Sequence, residues 1–319
     1  MKRIYIIFVL FLFTIITASC NTLTTYNDQF FSFDTIIKVS IKANNKKHLK
    51  EIKNIYLNIN NYADNYNSYN GLSIKDLNDN REVELNEYNK DLLEKAIELK
   101  NNTNGCFNPF IGRLADMWKE AIKNDNVLDS PIISDELNIM NSSSLEFEDN
   151  KAKLIGDANV DLGGIAKGYA TEMVHKYLFD NNINEYLINA GESNLLLGDT
   201  KKGFNVYLSN PFKENTYYGK INLSKIAIAT SSPEHQRKEI DGNLYHHILN
   251  PFTGMPSNLY SSINVITDDS MIADAYSTAL FSMEIEDLKQ FVDDNNIQVI
   301  VCKNDEIIYK KVDGEIEKV

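Results

Sequence analysis

The sequence predicts an α+β fold in which mixed or antiparallel sheets carry packed helices. Short runs of strand character alternate irregularly with segments whose apolar residues recur at helical spacing, and no regular βαβ period joins them. The 319 residues are 43% apolar, enough to bury one large core or two modest ones. Neither an internal repeat nor a second compositional regime divides the chain.

Residues 1–19 read as an export signal. Lys2 and Arg3 precede an apolar run from Ile4 to Ile16, and small residues then lead to Cys20. The run is short for a membrane span, which needs about 20 apolar residues. Small residues before a cysteine resemble the lipobox of bacterial lipoproteins, where the thiol is lipidated; a plain signal peptide is the alternative. The lipobox reading expects an exported chain, anchored through Cys20 to a bacterial membrane on its periplasmic or outer face. Residues 20–28 look like a polar tether, which leaves 29–319 as the folded unit.

Phe30 to Ile41 is expected as a strand, with Ile37, Val39 and Ile41 alternating after an entry through Phe30-Phe-Ser-Phe-Asp-Thr35. A helix follows, carrying Leu49, Ile52, Ile55, Tyr56 and Ile59 on one face. The Asn/Tyr-rich stretch from Asn60 to Asn70 is either low-complexity disorder or, given its tyrosines, an ordered loop. Asp91 to Asn101 is helical, with Gly105 just past its end. Phe107-Asn-Pro-Phe-Ile111 turns into a helix bearing Trp118, and polar Asn124 to Asn150, with Pro131, is expected as a long surface connection.

A helix is expected to follow Gly163-Gly164, with Ile165, Tyr169, Met173, Val174, Tyr177 and Leu178 on its buried stripe. Strands are expected at Glu185–Ala190, Leu195–Gly198, Asn205–Leu208, Ile226–Ala229 and Ser262–Thr267. A helix from about Ser270 to Met283 comes next. Gln298–Cys302 and Ile307–Lys311 form a hairpin across Asn304-Asp305.

A formal charge of -13 argues against nucleic acid and against an anionic membrane surface as partners. After Cys20 only Cys106 and Cys302 remain, too far apart in sequence for a Cys-x-x-Cys site. Two separate, partly buried thiols are expected, with a disulfide as the alternative.

Four stretches offer chemistry. In Asp161-Leu-Gly-Gly-Ile-Ala-Lys-Gly-Tyr-Ala170, the glycines let the backbone turn or approach a ligand, and the following helix aims its positive end and Lys167 at the same place. That suits a phosphate; a turn into an ordinary surface helix suits it equally. In Tyr245-His-His-Ile-Leu-Asn-Pro-Phe-Thr-Gly-Met-Pro256, two adjacent histidines precede a rigid turn. Side chains alternate on an extended segment, so only one faces a given site, as a general base or as a structural histidine. Asp274 and Thr278 lie four apart on one helical face. Their hard oxygens suit Mg²⁺ or Ca²⁺, against the alternative of a capping acid and a threonine bonded to its own helix. Ala227-Ile-Ala-Thr-Ser-Ser232 is a small-residue strand running into hydroxyls, and is weak alone.

With Leu187-Ile-Asn-Ala-Gly191 added, these motifs occur in the order found in the ApbE family, the FAD:protein FMN transferases, which the chain resembles from about residue 29 to about 300. The resemblance implies an Mg²⁺-dependent transfer of FMN from FAD to a Thr or Ser hydroxyl of an acceptor protein, with release of AMP. Acceptors of this family carry an Asp-x-x-(Ser/Thr)-Gly-Ala-(Ser/Thr)-like sequence. By position, the resemblance makes Asp274 and Thr278 metal ligands, with a main-chain carbonyl between Gly164 and Ala166 as a third. Phe33, Cys106, Phe107, Asn108, Asp161, Lys167, Thr230 and Ile248 are placed on the flavin nucleotide, and His247 is the base. Asn250 and Asn108 stand where the family has acids, Phe33-Asp34 replaces Met-Gly, and Glu192 replaces a glycine. Two other functions use the same residues: an FAD pyrophosphatase yielding FMN and AMP, and a flavin-binding lipoprotein without turnover. Retention of His247 with the metal pair argues against the last. Lys167 is left to choose between the nucleotide and an acid such as Asp161.

Overall fold

The computed structural model describes residues 23–234 and 237–319, so the stretch read as an export signal and Cys20 lie outside the described residues. Strand β1 (Thr24–Ser32) pairs antiparallel with β2 (Thr35–Ala43). Phe33 and Asp34 form the turn between them, with φ of 51° and 55°. Two successive left-handed residues match the strand twist, as a two-residue hairpin requires. The expected single strand is therefore a hairpin. Its first arm begins inside the stretch read as a tether.

Helix α1 (Lys47–Ala63) buries His48, Ile52, Tyr56 and Ile59 along one face. The loop after it is ordered: Asp64 accepts from the N–H groups of Tyr66 and Asn67, and the Tyr62 ring packs on Tyr69 and Tyr88. Helix α2 (Ile74–Asn80) starts with a reciprocal Ser73–Asp76 capping box. It leads into β3 (Glu82–Glu84), α3 (Glu87–Asn102) and α4 (Gly112–Lys123), the last carrying buried Trp118.

Residues 124–150 are not the expected surface connection. They hold α5 (Ser130–Ser142) and β4 (Ser144–Glu148), and β4 pairs with β5 (Lys151–Ile155). Pro131 sits in the first turn of α5, where a missing N–H costs nothing, and Ile133, Glu136 and Met140 are buried.

Helix α6 (Ala166–Asp180) follows the glycine pair, then β6 (Tyr186–Ala190), β7 (Asn194–Leu197), β8 (Phe204–Ser209), β9 (Tyr217–Leu223) and β10 (Ile226–Ser231). The remainder runs through β11 (Arg237–Ile240), β12 (Asn243–His246), β13 (Ser262–Thr267), α7 (Ser270–Leu280), α8 (Ile285–Asp294), the hairpin of β14 (Gln298–Lys303) and β15 (Glu306–Lys311), and β16 (Ile316–Glu317).

Eight strands form the main sheet in the order β1-β2-β6-β7-β10-β13-β14-β15, every neighbouring pair antiparallel. Its central strands are buried on both faces, with alternate residues serving different cores. Ala227, Ala229, Val265 and Val299 join the helices in the principal core, while Ile228, Ile266, Ile300 and Cys302 face a second core. That second core is closed by the small sheet β16-β9-β8. Cys106 and Cys302 are separate free thiols. No helix among the described residues is long and apolar enough to cross a membrane.

Candidate active site

The site forms where α6 meets α7. Asp269 caps α7 by accepting from the N–H groups of Met271 and Ile272, so the helix begins cleanly and descends into the core. One turn further on, Asp274 is buried, and its Oδ2 accepts the Gly168 N–H at 2.8 Å. Gly168 lies in the first turn of α6, where backbone N–H groups lack helical partners. The anion met by this N–H is therefore Asp274 itself. A Cβ on Gly168 would lie 2.5 Å from both Asp274 Cβ and the Ser270 carbonyl oxygen, so only glycine permits this approach. Helix α6 is buried on several sides, which excludes the ordinary surface helix.

Burial pushes the Asp274 carboxyl above the usual carboxylate range, opposed by the Lys167 charge and the Gly168 N–H. The Asp161 carboxylate accepts from Gly163 N–H at 2.6 Å. Thr278 is half-buried, and its hydroxyl donates to the Asp274 carbonyl at 3.3 Å. The hydroxyl lone pairs stay available. A Cβ on Gly164 would stand 3.2 Å from Thr278 Oγ1 and 3.3 Å from Phe107 Cε2. The glycine backbone therefore closes on the hydroxyl, and buried Ala166 opens α6 beside it.

These residues fit a hard divalent cation. Buried Asp274 and the Thr278 hydroxyl one helical turn on, facing a Gly164 backbone that a Cβ would crowd, offer oxygen donors only. No group of three or more His, Cys, Asp or Glu side chains that could hold a metal occurs among the described residues. A soft-metal cage is thus not what the site resembles, and an ion held here would complete its shell with waters or phosphate oxygens.

The loop before α4 packs against the same region. Phe107 is held by its N–H on Thr103 Oγ1 at 3.0 Å, and buried Asn108 accepts from Phe110 N–H at 3.1 Å. Cys106 is half-buried, and burial pushes its thiol up to about 11. The loop continues beside the glycine motif, with Asp161 N–H donating to Pro109 O at 2.7 Å. Burial also raises the Asp161 carboxyl, as does the nearby charge of Asp116.

The two histidines divide as alternation requires. His246 is fully buried, its Nδ1 accepts the Ile248 N–H at 3.2 Å, and its ring meets the Phe281 ring edge-on. Burial first, then the His247 charge, lower its pKa to about 4, so it is a neutral structural residue. His247 is exposed. The turn after it is rigid: Gly254 has φ 67°, its N–H donates to Asn250 O, and its carbonyl accepts the Trp118 indole N–H at 2.7 Å. Ser257 Oγ donates to Phe281 O at 2.6 Å, which seats the turn at the end of α7, just beyond Thr278.

Two expected residues stand apart. Thr230 bonds Asn264 at 2.8 Å, whereas the next residue, Ser231, bonds Ser277 of α7. Strand alternation therefore turns the Thr230 side chain to the sheet face away from α7. Phe33 occupies the β1–β2 turn, where its ring packs edge-on against Tyr56, whose hydroxyl bonds Thr171 of α6. Ile248 is buried in the principal core.

Sequence reasoning missed Gly168, whose only signal was a glycine inside a helical pattern. It also missed a polar cavity of about 320 Å³ lined by Asn65, Tyr66, Lys75, Asp116 and Asn159 among others. This cavity lies on the Asp161 side, and does not include the Asp274 pair.

The ApbE family model matches residues 33–301. The chain belongs to the ApbE family. A FAD:protein FMN transferase of Klebsiella pneumoniae (strain 342) is 30% identical over 212 residues, covering 64% of this chain and 65% of that protein, just under two thirds of its length. One from Chlamydia pneumoniae is 26% identical over 298 residues, covering 88% and 91%. Two solved structures share the fold. The ApbE protein of Thermotoga maritima superposes with a TM-score of 0.76 at 24% identity, covering 87% of this chain and 94% of that one. The flavin transferase ApbE of Vibrio cholerae gives 0.75 at 22% identity, covering 91% and 97%.

Proposed function

We propose that this ApbE-family chain transfers FMN from FAD to a Ser or Thr hydroxyl of an acceptor protein, releasing AMP. Its Klebsiella and Chlamydia relatives are named for FMN transfer from FAD to protein. The observation that carries the reading is the closure of the Gly164 backbone on Thr278, beside buried Asp274. Asp274, Thr278 and a main-chain carbonyl between Gly164 and Ala166 would hold Mg²⁺, which when bound supplies positive charge for the phosphates of FAD.

Lys167 adds a fixed charge at the start of α6. Asp161 and the Cys106-Phe107-Asn108 loop border the place where the nucleotide would lie. His247, exposed on its anchored turn, takes the proton of the acceptor hydroxyl. The hydroxyl oxygen bonds to the FMN phosphorus in line as the bond from that phosphorus to the bridging oxygen breaks, and AMP departs with that oxygen. The acceptor is a protein presenting an Asp-x-x-(Ser/Thr)-Gly-Ala-(Ser/Thr)-like segment, and Cys20 would carry the lipid anchor that holds the exported chain at a membrane.

The test is incubation of the chain with FAD, Mg²⁺ and an acceptor domain, followed by intact-mass and nucleotide analysis. An FMN adduct with equimolar AMP is expected. AMP without adduct would replace transfer with hydrolysis.

A further inference from the structure

Helix α7 carries Asp274 and Thr278, and its last carbonyls lack helical partners. Three consecutive carbonyls past its end are each capped by a side chain from the segment that follows His247. Phe281 O accepts from Ser257 Oγ at 2.6 Å, Ser282 O from Asn250 Nδ2 at 3.2 Å, and Met283 O from Tyr260 OH at 2.8 Å. Ser282 Oγ returns a bond to Leu249 O at 3.3 Å. Among these capping side chains Asn250 is the one that also bonds within the histidine turn, because its Oδ1 accepts from the N–H groups of Phe252 and Thr253 at 2.9 and 3.2 Å, while the main-chain N–H of Ser257 closes the turn on Ile248 O at 2.9 Å. One amide therefore uses its oxygen to fold the turn and its nitrogen to fasten the turn to α7.

We propose that Asn250 is a positioning residue for FMN transfer: its amide nitrogen fixes the His247 turn against the helix that bears the metal pair. The role rests on the reading of His247 as the base. An ionised aspartate has the same shape but only accepts hydrogen bonds, so it keeps the turn bonds and opposes the Ser282 carbonyl. The acid usual in the family is thus not equivalent to asparagine in this chain. Releasing the turn displaces His247 relative to Asp274 and Thr278, while the residues that line the nucleotide side stay in place.

The test measures single-turnover FMN transfer by the full chain with FAD, Mg²⁺ and acceptor, alongside FAD affinity. Asn250→Asp and Asn250→Ser are each made alone and in a His247→Ala background. Serine keeps an oxygen for the turn but is too short for Ser282, so it serves if the aspartate variant does not fold. Both single variants are expected to slow transfer by about 10²-fold, the scale of an ångström misplacement, with FAD affinity unchanged. In the His247→Ala background neither is expected to slow transfer further, since a residue acting through the base has nothing left to position. Equal slowing in both backgrounds, or full rates in the single variants, would overturn the proposal. A wild-type chain that forms AMP but no FMN adduct would overturn transfer itself, and the role of Asn250 with it.

Discussion

Replacing Gly168 with alanine tests whether the α6–α7 contact is built around a missing side chain. The new methyl would start 2.5 Å from Asp274 Cβ and from Ser270 O, where ordinary contact is 3.4–4 Å. The helices must part by about 1 Å, and overpacking of this kind costs about 1–3 kcal/mol. The same motion stretches the Gly168 N–H bond to the buried Asp274 carboxylate, a charge-assisted bond worth about 1.5–3 kcal/mol. Better helix propensity returns about 1 kcal/mol. The net expectation is a destabilisation of about 1.5–5 kcal/mol, read by urea denaturation of the metal-free chain, together with a fall of about 10²-fold in FMN transfer. An alanine variant about 1 kcal/mol more stable than wild type, as a solvent-facing helix would give, with full transfer would refute the close approach of the helices.

The histidine pair gives two opposite expectations. His247→Ala should keep FAD binding and slow transfer about 10²–10⁴-fold, the usual worth of a general base, whereas His246→Asn should leave transfer near wild type; the reverse pattern in a single-turnover assay would exchange their roles. His246 also sets an acid limit on stability. Its folded pKa of about 4 lies below the ordinary 6.5, so the unfolded chain binds the extra proton first. The stability it confers is complete above pH 6.5 and is lost as pH falls towards 4, by about 3 kcal/mol at full protonation. His246→Asn should remove that part of the slope, so in urea unfolding it gains on wild type as pH falls from 6.5 to 4; parallel pH profiles would show that His246 does not titrate in this way.

Much of the second half was legible because its central strands are apolar on both faces, its outer ones alternate, and their ends are marked. Ser262–Thr267 and the Gln298–Lys311 hairpin have the expected places, and Asn304 has the positive φ that its turn demands. β1 was missed because Thr24–Asp28 lies on an edge strand, half in water, where main-chain pairing with β2 does the work. α5 was missed because its apolar stripe is thin and Pro131 reads as a breaker unless the helix is known to start there. Within the site, the Asp274–Thr278 spacing and the glycine pair could be read locally. The face taken by Thr230 could not, since a strand residue turns towards or away from α7 according to sheet register. The need for glycine at 168 is visible only from the helix it packs against.

The most direct test of the Asp274–Thr278 centre is the rate of FMN adduct formation on the acceptor by Asp274→Ala, at saturating FAD and Mg²⁺, with folding checked by circular dichroism. Removing one of two side-chain donors leaves Thr278 and the Gly164 backbone without the charge that holds a divalent ion. The expected result is a folded chain with no Mg²⁺-dependent adduct. A folded Asp274→Ala chain that labels the acceptor at the wild-type rate would contradict the assignment of the site.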